Sequence, residues 1–175
     1  MKTLKNNYGF SLVEVVIAAF LFSLLVGVCS TIFLSGSDAW QVNTLSVQLQ
    51  QERRKAMDWI KEDLVEAGVS TITDVPADDA WHNGITFKIP AGVSNSTITW
   101  STNTTNFALG GTGGYQVIRT VGGSTKVLAQ NIHTLQFRRL STAPNIVEIS
   151  INSQKSTTRG ILVSNTSSFK VKLRN

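Results

Sequence analysis

From Phe10 to Leu34 the chain reads FSLVEVVIAAFLFSLLVGVCSTIFL, 25 residues with a single charge, at Glu14. An α-helix rises about 1.5 Å per residue, so about 20 apolar residues cross a hydrocarbon core of about 30 Å, and this run is long enough to span. Its apolar residues lie all round the helix, not along one stripe, which disfavours a surface amphipathic helix. A buried core helix of this length is out of proportion to a chain of 175 residues. After Ser35 the pattern changes. Val42, Leu45, Leu49, Ala56, Ile60 and Leu64 recur mostly at spacings of three and four, the mark of a helix with one apolar face. Gly68 is placed to cap its C-terminus. The helix is therefore expected to leave the membrane as a stem that ends near Gly68.

Beyond a loop holding Asp74, Pro76, Asp78 and Asp79 the period falls to two. Ile85, Phe87 and Ile89 alternate with Thr86 and Lys88, and Ile98 and Trp100 follow. Tyr115, Val117 and Arg119 lead into Val-Gly-Gly-Ser, after which Lys126 to Ala129 returns, the reading of a β-hairpin. Leu135 to Arg139, Val147 to Ile151 and Phe169 to Arg174 read as further strands. The last alternates apolar and basic residues, so one face packs and the other is solvated. Asn95 to Gly114 is rich in Ser, Thr, Asn and Gly and reads as an insertion, with Gly110 to Gly114 as a flexible loop. The expected fold class is α+β: a long N-terminal helix, transmembrane in its first half and an amphipathic stem in its second, packed against an antiparallel β-sheet domain.

The flanks of the apolar run set its direction. Lys2 and Lys5 precede it, and the next basic residues, Arg53, Arg54 and Lys55, lie about 19 residues beyond Leu34, at the edge of the window that counts for orientation. The N-terminus is thus expected to stay cytoplasmic, with residues after about 35 exported. A secretory signal peptide begins in the same way, but no Ala-x-Ala site ends this run, and the run exceeds the usual apolar region of about 7 to 15 residues. Glu14 is the anomaly. An ionisable side chain inside hydrocarbon costs at least ~2.5 kcal/mol, so its presence points to a function.

The stretch Lys5-Asn-Asn-Tyr-Gly-Phe-Ser-Leu-Val-Glu14 resembles the leader-peptidase site of type IV pilins and type II secretion pseudopilins. In that family a short basic leader ends in Gly, and Phe-(Thr/Ser)-Leu-(Ile/Leu/Val)-Glu opens a long hydrophobic helix. The resemblance implies cleavage by prepilin peptidase after Gly9, N-methylation of the new terminus at Phe10, and a role for Glu14 in admitting subunits to a filament by neutralising a neighbour's amino group. Pairing of Glu14 with its own chain's amino group is the other possibility. The stem sequence ERRKAMDWIKEDLVEAG is similar to the stems of W-type minor pilins and J-type minor pseudopilins. The segments Tyr115 to Thr120, Lys126 to Gln130 and Ile132 to Phe137 are similar to the minor-pilin pattern of a hairpin followed by Asn-Ile-x-x-Leu-x-Phe. On this reading the chain divides into a leader, residues 1–9; a transmembrane and assembly helix, residues 10–34; a stem, residues 35–68; and a β-rich head, residues 69–175. The implied place is the inner membrane, as a single-pass chain with an exported head, and then the pilus or pseudopilus. The implied partners are prepilin peptidase and other major and minor pilins or pseudopilins.

Other chemistry is sparse. The single Cys excludes an internal disulfide and a Cys-based zinc site. His82 and His133 have no partner at ligand spacing, and no nucleophile elbow, phosphate loop or carboxylate pair marks an enzyme. No cofactor is implied. Asp74, Asp78 and Asp79 match no calcium loop and read as solvated. Charge is unevenly placed: residues 35–79 hold nine acids and four bases, net −5, and residues 80–175 hold ten bases and one acid, net +9. Two function classes follow. One is a non-catalytic structural subunit, a minor pilin or pseudopilin at or near a filament tip. The alternative is a membrane-anchored binding module whose basic β-domain takes DNA or another polyanion, although no aromatic interleaving marks a stacking platform for nucleic acid.

The leader reading predicts that intact-mass measurement of membrane-extracted protein finds a chain lacking Met1 to Gly9 and carrying one added methyl group. A full-length chain, or one cut beyond Leu34, overturns it.

Overall fold

The computed structural model describes residues 11–94 and 97–174. The chain divides into two compact units, residues 1–41 and 42–175. Helix α1, Leu12–Glu66, contributes to both. Among the described residues nine strands follow: β1 Gly84–Phe87, β2 Pro90–Ser94, β3 Thr97–Trp100, β4 Thr105–Gly110, β5 Gln116–Val121, β6 Ser124–Ala129, β7 Ile132–Leu140, β8 Ala143–Ser156 and β9 Leu162–Lys172. They form three antiparallel sheets, ordered β1-β4-β5-β6, β2-β3 and β7-β8-β9. A long N-terminal helix and antiparallel sheets make the class α+β, as the sequence predicts.

In the second unit the helix periodicity translates directly into burial. Leu49, Ala56, Ile60 and Leu64 are buried, while Val42 and Leu45 are half-buried. Ala56, Ile60 and Leu64 share one core with Ile85, Phe87, Phe107, Val117, Leu135, Phe137, Ile149 and Ile151. This is the expected sheet over the stem's apolar face. Each large side chain buried there contributes about 1.5–3 kcal/mol, and the Phe87 and Phe107 rings stack with centroids 6.0 Å apart. The strand alternation is equally direct: in β8, Val147, Ile149, Ile151 and Ser153 point inward.

Turn chemistry sets the β5–β6 register. Gly122 and Gly123 both have positive φ, at 56° and 86°, and Val121 pairs with Ser124 around them. Only a pair of residues free to adopt left-handed backbone closes a two-residue hairpin of this hand.

Two features differ from the expectation. The stretch from Asn95 to Gly114 is not simply an insertion: it contains β4, a central strand of the first sheet, with Thr105 and Phe107 fully buried. Thr105 in the inward row and Asn106 and Ala108 at the alternate positions lower its apparent hydrophobicity, but the period of two is intact in Thr105, Phe107 and Leu109. Gly110–Gly114 is a tight connection with a 3-10 turn at Thr112–Gly114. Gly68 is the second difference. The helix ends at Glu66, and Gly68 is extended (φ −78°, ψ 135°), so it does not serve as a left-handed cap. Its lack of a side chain is needed for space, because a Cβ there would lie 2.4–2.5 Å from the ring of Trp100. The backbone beside it is held by the C-terminal strand: Arg174 N–H donates to Ala67 O (3.0 Å) and Val69 N–H to Arg174 O (3.3 Å).

Gly68→Ala is therefore expected to destabilise the protein by about 1–3 kcal/mol through overpacking, and Trp100→Leu in the same chain to restore part of the loss. Urea unfolding measures both. An unchanged midpoint for Gly68→Ala removes the packing argument.

Candidate assembly site

Within the first unit, the described part of α1 presents apolar side chains on all sides. Leu12 is 81% exposed, Phe22 68% and Phe33 75%. Such a surface is unstable in water and matched to lipid. The few polar groups along it are satisfied internally. Ser23 Oγ donates to Phe20 O (2.7 Å), Ser30 Oγ to Val26 O (2.8 Å) and Thr31 Oγ1 to Val28 O (2.7 Å), so these hydroxyls need nothing from the surroundings. The lone Cys29 is exposed on the same surface.

Glu14 stands apart from this. It lies in the first turn, and its Oε2 accepts the backbone N–H of Ser11 at 3.3 Å. That bond is the carboxylate half of a capping box, Ser at the N-cap and Glu three residues on, and it satisfies one of the open donors at the helix start. The helix dipole favours a negative charge at this end. A carboxylate offers about four acceptor sites, so a single N–H leaves most of its capacity for another donor. On the same side, the small side chains of Ala18 and Ala19 leave a shallow hollow bounded by Glu14, Val15 and Phe22. Gly9 and Phe10 lie outside the described residues.

Residues 4–30 match the family model of the prokaryotic N-terminal methylation motif. The match spans Gly9, Phe10 and Glu14, and it supports a subunit of the pilin or pseudopilin type that is processed by prepilin peptidase and assembled with other pilins. With the apolar helix it also supports membrane anchoring and pilus assembly. No curated protein and no solved structure matches the chain.

The remaining candidates are engaged in the fold. Asp74 accepts from the hydroxyls of Thr73 and Thr86. Asp78 accepts from Ala80 N–H (3.0 Å) and lies 3.3 Å from His82 Nε2, while Asp79 accepts from Ser141 N–H (3.0 Å) and Ser141 Oγ (2.8 Å). Among the described residues no group of three potential ligands is brought together. His82 pairs its backbone with Phe137, and His133 stacks on Tyr115 at 5.3 Å. Three arginines of the basic head are held by partners within the fold. Arg119 makes two bonds to Asp63 of α1 (2.6 and 3.2 Å), Arg138 pairs with Glu148 (2.5 Å), and buried Arg139 donates to the carbonyls of Pro144 and Val75. Burial pushes the Arg139 guanidinium below its ordinary range without discharging it. Lys126 and Arg119 both lie over the Trp59 ring, at 4.4 and 5.7 Å. Sequence spacing does not reveal these pairs, since Asp63 and Arg119 are 56 positions apart. The sign reversal between the acidic stem and basic head was the visible signal.

The Asp78 and Asp79 contacts give a pH dependence. The Ala80 N–H, with His82 beside it, lowers the Asp78 carboxyl, and the Ser141 hydroxyl and N–H lower that of Asp79. A carboxyl lowered in the folded state stabilises above its unfolded value of about 3.9 and loses that contribution as pH falls through the folded value. Unfolding midpoints followed between about pH 6 and pH 2 should therefore decline less steeply at the acid end in the variant Asp78→Asn with Asp79→Asn. Asn at 79 tolerates the positive φ of 64° found there. Parallel acid limbs overturn the assignment.

Proposed function

We propose that the chain is a minor pilin or pseudopilin, a structural subunit without catalysis, inserted in the inner membrane with its N-terminus cytoplasmic and its head exported. Prepilin peptidase cuts after Gly9, Phe10 is methylated, and the subunit enters a type IV pilus or type II secretion pseudopilus at or near the tip. The observation that carries this reading is the carboxylate of Glu14 in the apolar stretch up to Leu34, whose hydroxyls at Ser23, Ser30 and Thr31 bond internally, inside a matched methylation motif.

Cleavage supplies a counter-charge for Glu14. It creates an ammonium at Phe10, a charge as poorly suited to lipid as the carboxylate. Two such charges attract far more strongly in a low-dielectric setting than in water. The Ser11 N–H occupies one acceptor site of Glu14, leaving room for the ammonium of a neighbouring subunit. Entry into the filament then removes two unfavourable charges at once, which selects for processed subunits.

The minor class rests on the head. Residues 80–175 carry net +9, and like-charged heads stacked in thousands of equivalent contacts repel one another. A few copies among different partners avoid that repulsion. The likeness of the stem to W-type minor pilins and J-type minor pseudopilins points the same way. Nucleic-acid binding is less favoured, because Arg119, Arg138 and Arg139 are committed to internal partners.

Sheared filaments test both parts. Glu14→Ala is expected to reach the membrane and lose residues 1–9, because the change makes the span more apolar, yet to be missing from filaments. Wild-type protein is expected there at a small fraction of the most abundant pilin. Normal incorporation of the variant sinks the role of Glu14, and a near one-to-one ratio makes the chain a major subunit.

A further inference from the structure

The edge of a β-sheet exposes unpaired N–H and C=O groups, and folded proteins generally cover or blunt such edges. Several edges of this head are treated in that way. Thr73 N–H donates to Thr86 O of β1 at 3.2 Å, and His82 exchanges two bonds of 2.8 Å with Phe137 of β7. Strand β6 is short and carries Lys126, and Gln130 just beyond it donates to Glu52 Oε2 at 3.0 Å.

Strand β9 is left open. It has 11 residues, contains neither Pro nor Gly, and pairs on one side with β8 throughout. Its other side is covered only past its end, where Arg174 bonds Ala67 and Val69; along Leu162–Lys172 no further strand is paired among the described residues. The faces of this edge are already ordered. Asn152 Nδ2 donates to Ser164 Oγ (3.1 Å) and Thr166 Oγ1 (2.7 Å), which fixes the outer row, and Phe169 and Val171 hold the inner row against the core. The charge on the outer row has one sign. Lys170 and Lys172 are exposed at alternate positions, and Glu148, which stands opposite Lys170, is already bonded to Arg138.

We infer that the open edge of β9 receives an extended strand from a different exported polypeptide, one with carboxylates at alternate positions facing Lys170 and Lys172. Backbone bonds along the edge supply affinity, and the cross-strand charge pairs set register. A second copy of this chain fits less well, because it brings the same two lysines and a head of equal positive charge. The inference stands on the sheet and does not require the filament reading.

The experiment titrates full-length protein in detergent micelles with three synthetic peptides, each as long as the 11 residues of β9. The first alternates Val and Thr and carries two Asp residues at adjacent same-face positions. The second is the same peptide with backbone N-methyl groups at alternate residues, and the third has Lys in place of both Asp. Binding is read by fluorescence anisotropy, and occupancy of the edge by amide exchange of residues 162–172. The first peptide is expected to bind and slow that exchange, and the other two to bind about tenfold more weakly or worse. Lys170→Gln with Lys172→Gln is expected to weaken the first peptide similarly while leaving the unfolding midpoint unchanged. Equal binding of the N-methylated peptide reduces the effect to charge attraction and overturns strand addition, as does absence of binding by the first. Self-association that protects the same amides without peptide assigns the edge to a second copy and overturns the proposed partner.

Discussion

Everything in the β-rich head depends on the burial of Ala56, Ile60 and Leu64 beneath the sheets. Sheets of two to four strands gain independent stability only when a hydrophobic face is covered. The stem provides that cover for residues of both larger sheets, from Phe87 and Phe107 in one to Phe137 and Ile149 in the other. A Phe→Ala change at one of these sites costs about 3–5 kcal/mol, a large share of the stability of a small domain. The apolar stripe decides which face of the helix turns to the sheets, but leaves a choice of placement along the strands.

Polar contacts make that choice. Asp63, next to Leu64 in sequence, holds Arg119 of β5 by two bonds, and Trp59 one turn earlier lies beneath Arg119 and Lys126. Glu52 reaches the backbone of Gln130 beyond β6. These contacts tie one side of the helix to β5, β6 and the residue after them. The acidic stem and basic head therefore serve each other within one chain before any surplus charge is available to a neighbour.

The sequence discloses what repeats and conceals what pairs. The apolar run to Leu34, the stem face through Leu64 and the alternation of Val147, Ile149 and Ile151 are legible because each is a local period set by helix or strand geometry. The same locality made the Gly9 to Glu14 motif conspicuous. Strand β4 is obscured because Thr and Asn open a strand of six residues whose neighbours, not its composition, bury it. Gly68 was identified as special for the wrong reason: the space it leaves for Trp100 is a contact across 32 positions, invisible to any rule about helix ends. The Asp79 clamp on Ser141 is of the same kind. Glu14 was legible as an anomaly, but its bond to Ser11 belongs to the folded helix start.

The joining of Ala67 and Val69 to Arg174 has a consequence for the order of events during synthesis. Strand β9 completes its sheet, and Val171 and Leu173 seal the core immediately before that junction. The stem is synthesised long before them, with its apolar face uncovered. Closure of the core must wait until residue 174 has been made, so a nascent chain that stops short of it holds a stem and strands without a sealed head.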